Sequence, residues 1–384
     1  MPGIYIHIPF CLQKCNYCNF YSEIGPREKY TNYLEALKIE INKYQTDEFW
    51  ANAVFNTIYL GGGTPSILSI QQIEKLLSGL NNGFHFVDSP EITLEVNPET
   101  VDYEKLIHLK EAGINRLNIG IQSFHEAELK LLNRIHSAQQ GLKIIKDAQK
   151  AGFENLGIDL IFGIPGQTLK MWQTNLKHAI SLEIQHLSTY GLTYEPGTPL
   201  SRLAEEGKIA LCPETLERDM YWETIDYLSA AGFEHYEISN FARPGFRSQH
   251  NQIYWRDEPY LGLGASAHSF QPSQRWWNVN SLAIYQKKLL QGEPPVQSRE
   301  TLTEEQQILE FIMLGLRRKE GIDLSGFEQK FAINFLSHFE NVLEKLNFYQ
   351  NNSNANKWLV LENGYLRLTR AGFMIYDEIC GQFV

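Results

Sequence analysis

Cysteine is scarce in this sequence, and basic charge is in deficit. The 384 residues hold five cysteines, 34 Lys plus Arg and 45 Asp plus Glu, for a formal net charge of −11. A small, odd set of cysteines excludes a secreted disulfide framework. A chain this long buries enough core to fold without covalent staples. The acidic balance argues against a nucleic-acid binder, which carries a basic footprint. No apolar run approaches the ~18 residues of a membrane span. The start, MPGIYIHIPF, lacks a basic n-region and a small-residue cleavage site, so no signal peptide is expected. These absences point to the cytoplasm. Transient contact with a membrane surface stays open, although no amphipathic anchor is visible.

What is present is alternation. Short apolar runs that read as strands lie at 4–8, 55–60, 91–96, 116–121, 156–162 and 186–192. Helical periodicity fills the gaps, at 30–44, 70–80, 103–112 and 171–182, with Ser69 as an N-cap. The phrase Ala-Gly-apolar recurs at residues 112, 151 and 231, where a glycine can close a helix in the left-handed conformation. Six such βα units predict an α/β fold with parallel strands and right-handed crossovers, as an open sheet or a partial barrel. Residues 241–300 lack clean periodicity and read as a connecting segment. Helices at 304–318, 327–331 and 336–346 follow. A hairpin at 358–362 and 365–369 turns on Asn363-Gly364, and a last helix ends at Cys380. Helices followed by a hairpin predict a small winged-helix-like α+β domain. Residues 300–384 carry 8 basic and 12 acidic side chains, which disfavours DNA as its partner.

Three cysteines fall within eight residues, Cys11, Cys15 and Cys18, as CxxxCxxC directly after the first strand. Three thiolates on one loop can ligate three irons of a [4Fe–4S] cluster and leave the fourth open to an exogenous ligand. Zinc is the alternative, but structural zinc prefers four closed ligands, and no fourth cysteine or histidine follows nearby. Cys212 and Cys380 read as ordinary thiols. His7 reads as a packing residue or a neighbour of the cysteine loop.

CxxxCxxC after an N-terminal strand in a run of βα units resembles the radical S-adenosylmethionine (SAM) superfamily. The phrase Tyr5-Ile-His7-Ile-Pro9-Phe10-Cys11 narrows the resemblance to the oxygen-independent coproporphyrinogen III oxidases and their relatives, the HemW-type haem chaperones. The likeness spans the whole chain. It implies a radical SAM partial (β/α)6 barrel over 1–240, a connecting segment over 241–300 and a HemN-like C-terminal domain over 301–384. It also implies that SAM chelates the open iron. Matching the family's SAM-contacting positions residue by residue selects Tyr5, Tyr17, Gly62, Gly63, Thr64, Glu95, Gln122, Arg134 and Asp159. A further family contact near Thr193 matches less well. Several of these residues stand at the carboxyl ends of successive strands, the face on which (β/α) barrels build their sites. Carboxylates and amides suit ribose hydroxyls and an amino group, and Arg134 suits a carboxylate.

Oxidase and chaperone share this core, and three features divide them. The oxidase motif continues as CxxxCxxCxC, whereas here the added position is Phe20. The oxidases carry an N-terminal extension, expected to be absent because the first strand starts near residue 4. Residues 250–255 read HNxxYW, a pattern of the chaperones. The resemblance therefore implies a chaperone that binds the cluster, SAM and haem and hands haem to an acceptor protein. Oxidative decarboxylation of a porphyrinogen is the alternative. His250 is the candidate axial ligand to haem iron, with Tyr254 and Trp255 stacking on the porphyrin and His268 as second choice. The bland alternative is that His250 and its neighbours bond and pack internally.

Overall fold

The structure, a computed structural model, describes residues 1–346, 348 and 358–384. One twelve-stranded sheet organises it. Its strands in chain order are β1 (Gly3–Ile8), β2 (Val54–Gly62), β3 (His85–Val96), β4 (Arg116–Gln122), β5 (Asn155–Phe162) and β6 (His186–Gly191). They continue as β7 (Glu234–Glu237), β8 (Asn240–Ala242), β9 (Tyr260–Leu263), β10 (His268–Gln271), β11 (Gln274–Asn278) and β12 (Val296–Thr301). In space the order is β12-β11-β10-β9-β1-β2-β3-β4-β5-β6-β8-β7. From β9 through β1 to β6 every pairing is parallel, and the flanking strands are antiparallel. This is the expected α/β core. The helix Ile70–Asn81 starts on Ser69 with a capping box closed by Gln72.

Residues 241–300 differ from a plain connector. They supply β9, which pairs in parallel with β1 from Gly3↔Tyr260 to Ile6↔Leu263, and the antiparallel β10 to β12. These strands are only four to six residues long, too short to show a period. Gly262 is needed where β10 crosses, because a Cβ there would lie 1.9 Å from the His268 carbonyl oxygen.

The C-terminal region carries the expected hairpin, β14 (Leu359–Glu362) with β15 (Tyr365–Leu368), joined by β13 (Ile322–Asp323) on the other side of β15. The helix expected over 336–346 is instead two pieces, Phe335–His338 and Glu340–Lys345. They meet at Phe339, whose backbone leaves helical values (φ −103°, ψ 20°) and whose ring packs against Phe335 and Phe383, 4.9 and 5.2 Å between centroids. This region is tied to the sheet by Arg317, which meets buried Glu237 at 2.7 Å.

Glu40, fully buried on the helix Arg27–Tyr44, ties the N-terminal and late strands together. Its carboxylate accepts from the Gly264 backbone at 2.8 Å, Asn278 Nδ2 at 2.6 Å and the Tyr285 hydroxyl at 2.5 Å. Truncation would orphan three buried donors. Glu40→Ala is expected to lose about 3 kcal/mol of stability in chemical denaturation. A loss below about 1 kcal/mol would mean that these bonds do not hold the segments together.

Candidate functional site

The cysteine loop leaves β1 at the carboxyl edge of the sheet. Its root is fixed by Phe10, which packs 4.3 Å from Tyr30 and 5.4 Å from Tyr33 between centroids. Backbone bonds Cys11 N to Glu23 O (3.1 Å) and Glu23 N to Pro9 O (2.8 Å) close its base. The far side is clamped to the corner after β4. Asn16 donates its backbone N–H to Leu132 O (3.1 Å) and its amide to Leu131 O (2.9 Å). Asn133, at φ 60°, donates to Lys14 O at 2.8 Å.

Cys11, Cys15 and Cys18 all line one cavity of about 430 Å³. Thr64 Oγ1 donates to Cys11 Sγ at 3.5 Å, and Arg134 Nη1 to Cys15 Sγ at 3.4 Å. Burial pushes the Cys11 thiol up, and pushes Cys18 to about 11 with the other two cysteines adding to the effect. A positive centre bound there would release protons from them. Among the described residues no three His, Cys, Asp or Glu side chains converge on a single-ion geometry. A cluster does not require that convergence, because each thiolate takes its own iron.

Gly62 and Gly63 have a defined reason. Gly62 sits at φ +106°, and a Cβ on it would meet the His7 ring at 2.5 Å. A Cβ on Gly63 would lie 2.7 Å from the Phe10 carbonyl oxygen. Their absence of side chains lets β2 press against the root of the cysteine loop, where Thr64 N bonds Phe10 O at 2.7 Å.

A polar wall faces the cysteines. Asn97 links two of its members, donating to Thr64 Oγ1 (2.9 Å) and accepting from Arg134 Nη2 (2.7 Å). Arg134 Nη2 also donates to Gly120 O at 2.8 Å. Glu95 accepts from the Tyr59 hydroxyl (2.9 Å) and Gly62 N (3.2 Å). Asp159 Oδ2 accepts from Asn118 at 2.8 Å. Gln122 reaches the wall through a bulge in the β4–β5 pairing at φ 65°, a conformation stored more often at functional positions than elsewhere. Arg134 Nε, Asp159 Oδ1 and Asn118 Oδ1 are buried with no hydrogen-bond partner among the described residues. A donor and two acceptors left unpaired on residues of one cavity suit a ligand that carries both acceptor and donor groups.

The sequence resembles known proteins along its whole length. Residues 5–179 match the radical SAM superfamily, and residues 302–375 match the HemN C-terminal domain. Heme chaperone HemW of Bacillus subtilis is 36% identical, covering 100% of this chain and 99% of that protein. This chain belongs to the HemW family. Heme chaperone HemW of Lactococcus lactis is 34% identical over 99% of the chain and 96% of its own length. Among solved structures, the radical SAM enzyme coproporphyrinogen III oxidase (HemN) of Escherichia coli superposes with a TM-score of 0.84. It is 26% identical, covering 100% of this chain and 90% of that one.

In this HemW-family chain, Tyr17, Gly62, Gly63, Thr64, Glu95, Gln122, Arg134 and Asp159 line the cavity with the three cysteines. Tyr5 does not. Its hydroxyl bonds His7 Nδ1 at 2.9 Å, and it faces a second cavity of about 390 Å³. His250 reaches neither cavity. It is 1% exposed, and both ring nitrogens are engaged, Nδ1 with Thr57 Oγ1 at 2.6 Å and Nε2 with the Tyr254 hydroxyl at 2.8 Å. An imidazole with no free lone pair and no exposed face cannot ligate haem iron in this conformation, so the ligand expectation for His250 is corrected. Trp255 packs against the Arg317 guanidinium, 4.3 Å from its ring. The cavity also uses Tyr59, Asn97, Asn118, Tyr190 and Thr193, which the sequence reading did not select. Asn97 was findable, because it directly follows a strand end that carries a selected carboxylate.

Burial pushes the Glu95 carboxyl up to about 7, against the hydrogen bond from Tyr59 and with a push from Asp159. A folded-state pKa above the ordinary 4.5 favours folding in full below pH 4.5 and is lost as the pH rises through 7. In ligand-free protein, stability measured by urea unfolding should therefore fall between pH 5 and 8, by up to about 3 kcal/mol from this group. Glu95→Gln should remove that part of the slope. Equal slopes in both proteins would show that Glu95 does not titrate there.

Proposed function

We propose that this chain is a cytoplasmic haem chaperone that carries a [4Fe–4S] cluster on Cys11, Cys15 and Cys18, binds SAM beside it, and passes bound haem to an acceptor protein. The end-to-end likeness to HemW at 36% identity carries this reading. The cavity chemistry supports the cofactors. A cluster held by Cys11, Cys15 and Cys18 would supply one-electron chemistry beside bound SAM. This chain's residues do the rest. Arg134, with Nε unpaired, offers a charged donor to the carboxylate, and Asn97 keeps its fork in place. Glu95, Asp159 and Asn118 offer acceptors to ribose hydroxyls and an amino group. Gln122 adds an amide to the same wall.

The likeness to HemN supports a second reading, oxidative decarboxylation of a porphyrinogen. Phe20 weighs against it, since it stands 65% exposed where the oxidase motif of the resemblance carries a further cysteine.

After anaerobic reconstitution the protein should hold about four iron and four sulfide, and Cys15→Ser should hold clearly less. Haem titration should give a saturable Soret change with about one haem per chain. Absence of that end point would sink the chaperone reading. Incubation of the reduced protein with coproporphyrinogen III and SAM should give no vinyl product while a control oxidase turns over. Vinyl product would establish the second reading instead.

A further inference from the structure

Beside the cysteine cavity lies the second one, about 390 Å³, on the other side of the loop. Asn19 and Phe20 border both cavities, so the end of the cysteine loop is their shared wall. The walls of the second cavity are dominated by aromatic rings: Tyr5, Phe20, Tyr21, Tyr254 and Tyr260. Tyr254 and Tyr260 meet edge to face, with centroids 4.6 Å apart. Its volume falls in the range of small-molecule sites.

Three histidines lie in or beside this cavity, and they differ in what their nitrogens do. His7 uses both, Nδ1 with Tyr5 and Nε2 with the Tyr21 carbonyl at 2.8 Å. His250, behind the wall, uses both as described above. His268 is exposed at the start of β10 and makes no side-chain hydrogen bond among the described residues. Its ring is held in orientation by Trp277, its cross-strand partner, stacked at 5.7 Å and 20° between planes. Ser266, two residues before it, lines the cavity with φ 64°.

We infer that the second cavity is the haem site, with His268 as the axial ligand to the iron and Tyr254 as part of the porphyrin-facing wall. This rests on the haem-chaperone reading and deepens it. A flat, largely apolar macrocycle suits a wall of rings, and its iron needs an imidazole with a free nitrogen. Burial and then Arg275 lower the His268 pKa, so the ring is neutral at pH 7, the ligating form. The exposed rim at Phe20 and His268 leaves the bound macrocycle reachable by an acceptor. His250 is then a positioning residue: its Nε2 holds the hydroxyl of Tyr254, so the HNxxYW motif enters the site through its tyrosine.

The test uses the full-length reconstituted protein, titrated with ferric haem and followed by Soret difference spectra and electron paramagnetic resonance. Wild type should show a histidine-ligated signature. His268→Ala should lose that signature and bind haem about tenfold or more weakly, and added imidazole should restore the Soret position. His268→Met should bind with an altered signature. His250→Ala should weaken binding while keeping the wild-type signature. Iron–sulfur content and far-UV circular dichroism check that each variant is folded. If His268→Ala keeps wild-type signature and affinity, or if only His250→Ala loses the signature, this assignment is overturned while the chaperone reading stands. If wild type itself binds no haem, both fall together.

Discussion

The parallel pairing of β1 on both of its edges is the constraint on which the rest depends. β2 lies against it on one side and β9 on the other, in register from Gly3 to at least Ile6. That double pairing fixes where the chain leaves the sheet at Ile8, and therefore where Cys11 begins. Once the root is set by Phe10, the glycines of β2 allow the neighbouring strand to close on it. The backbone bonds between Asn16 and the Leu131–Leu132 corner hold the far side. The three thiols thus hang from a rigid rim between two anchors, although the loop itself has no regular structure.

The cavity behind them is electrostatically unfinished. It buries Glu95 and Asp159 with their carboxyls pushed up, beside thiols pushed the same way by burial. Arg134 is one of the cations set near them, with Arg116, and its Nε has no partner among the described residues. Groups so placed cost stability in an empty protein and recover it when a complementary ligand arrives. The second cavity is built on another plan, with aromatic walls and one exposed imidazole.

The core was legible because its strands and helices follow simple periods. Glu95 and Asp159 could be read as polar residues set inside apolar runs, near the end of β3 and within β5. What escaped was set by geometry with no period. Residues 260–301 form strands too short to alternate visibly, so their place beside β1 was hidden. Gln122 was selected by the family resemblance, but the bulge and left-handed backbone that bring it to the cavity are announced by no spacing. His250 looked like a ligand because a sequence shows residue type and not occupancy. Thr57, 193 residues away, takes one of its nitrogens. The irregular backbone at Phe339, whose ring meets Phe383 from the chain's end, likewise leaves no mark in the helical period.

The pairing of Gly3 with Tyr260 also has a meaning in time. The strand that leads into the cysteine loop is synthesised more than 250 residues before one of its two neighbours. Contacts so distant in sequence form slowly. During synthesis β1 therefore has only β2 beside it until β9 has been made. The cavity around the thiols waits less long, because every residue that lines it lies between Cys11 and Glu195.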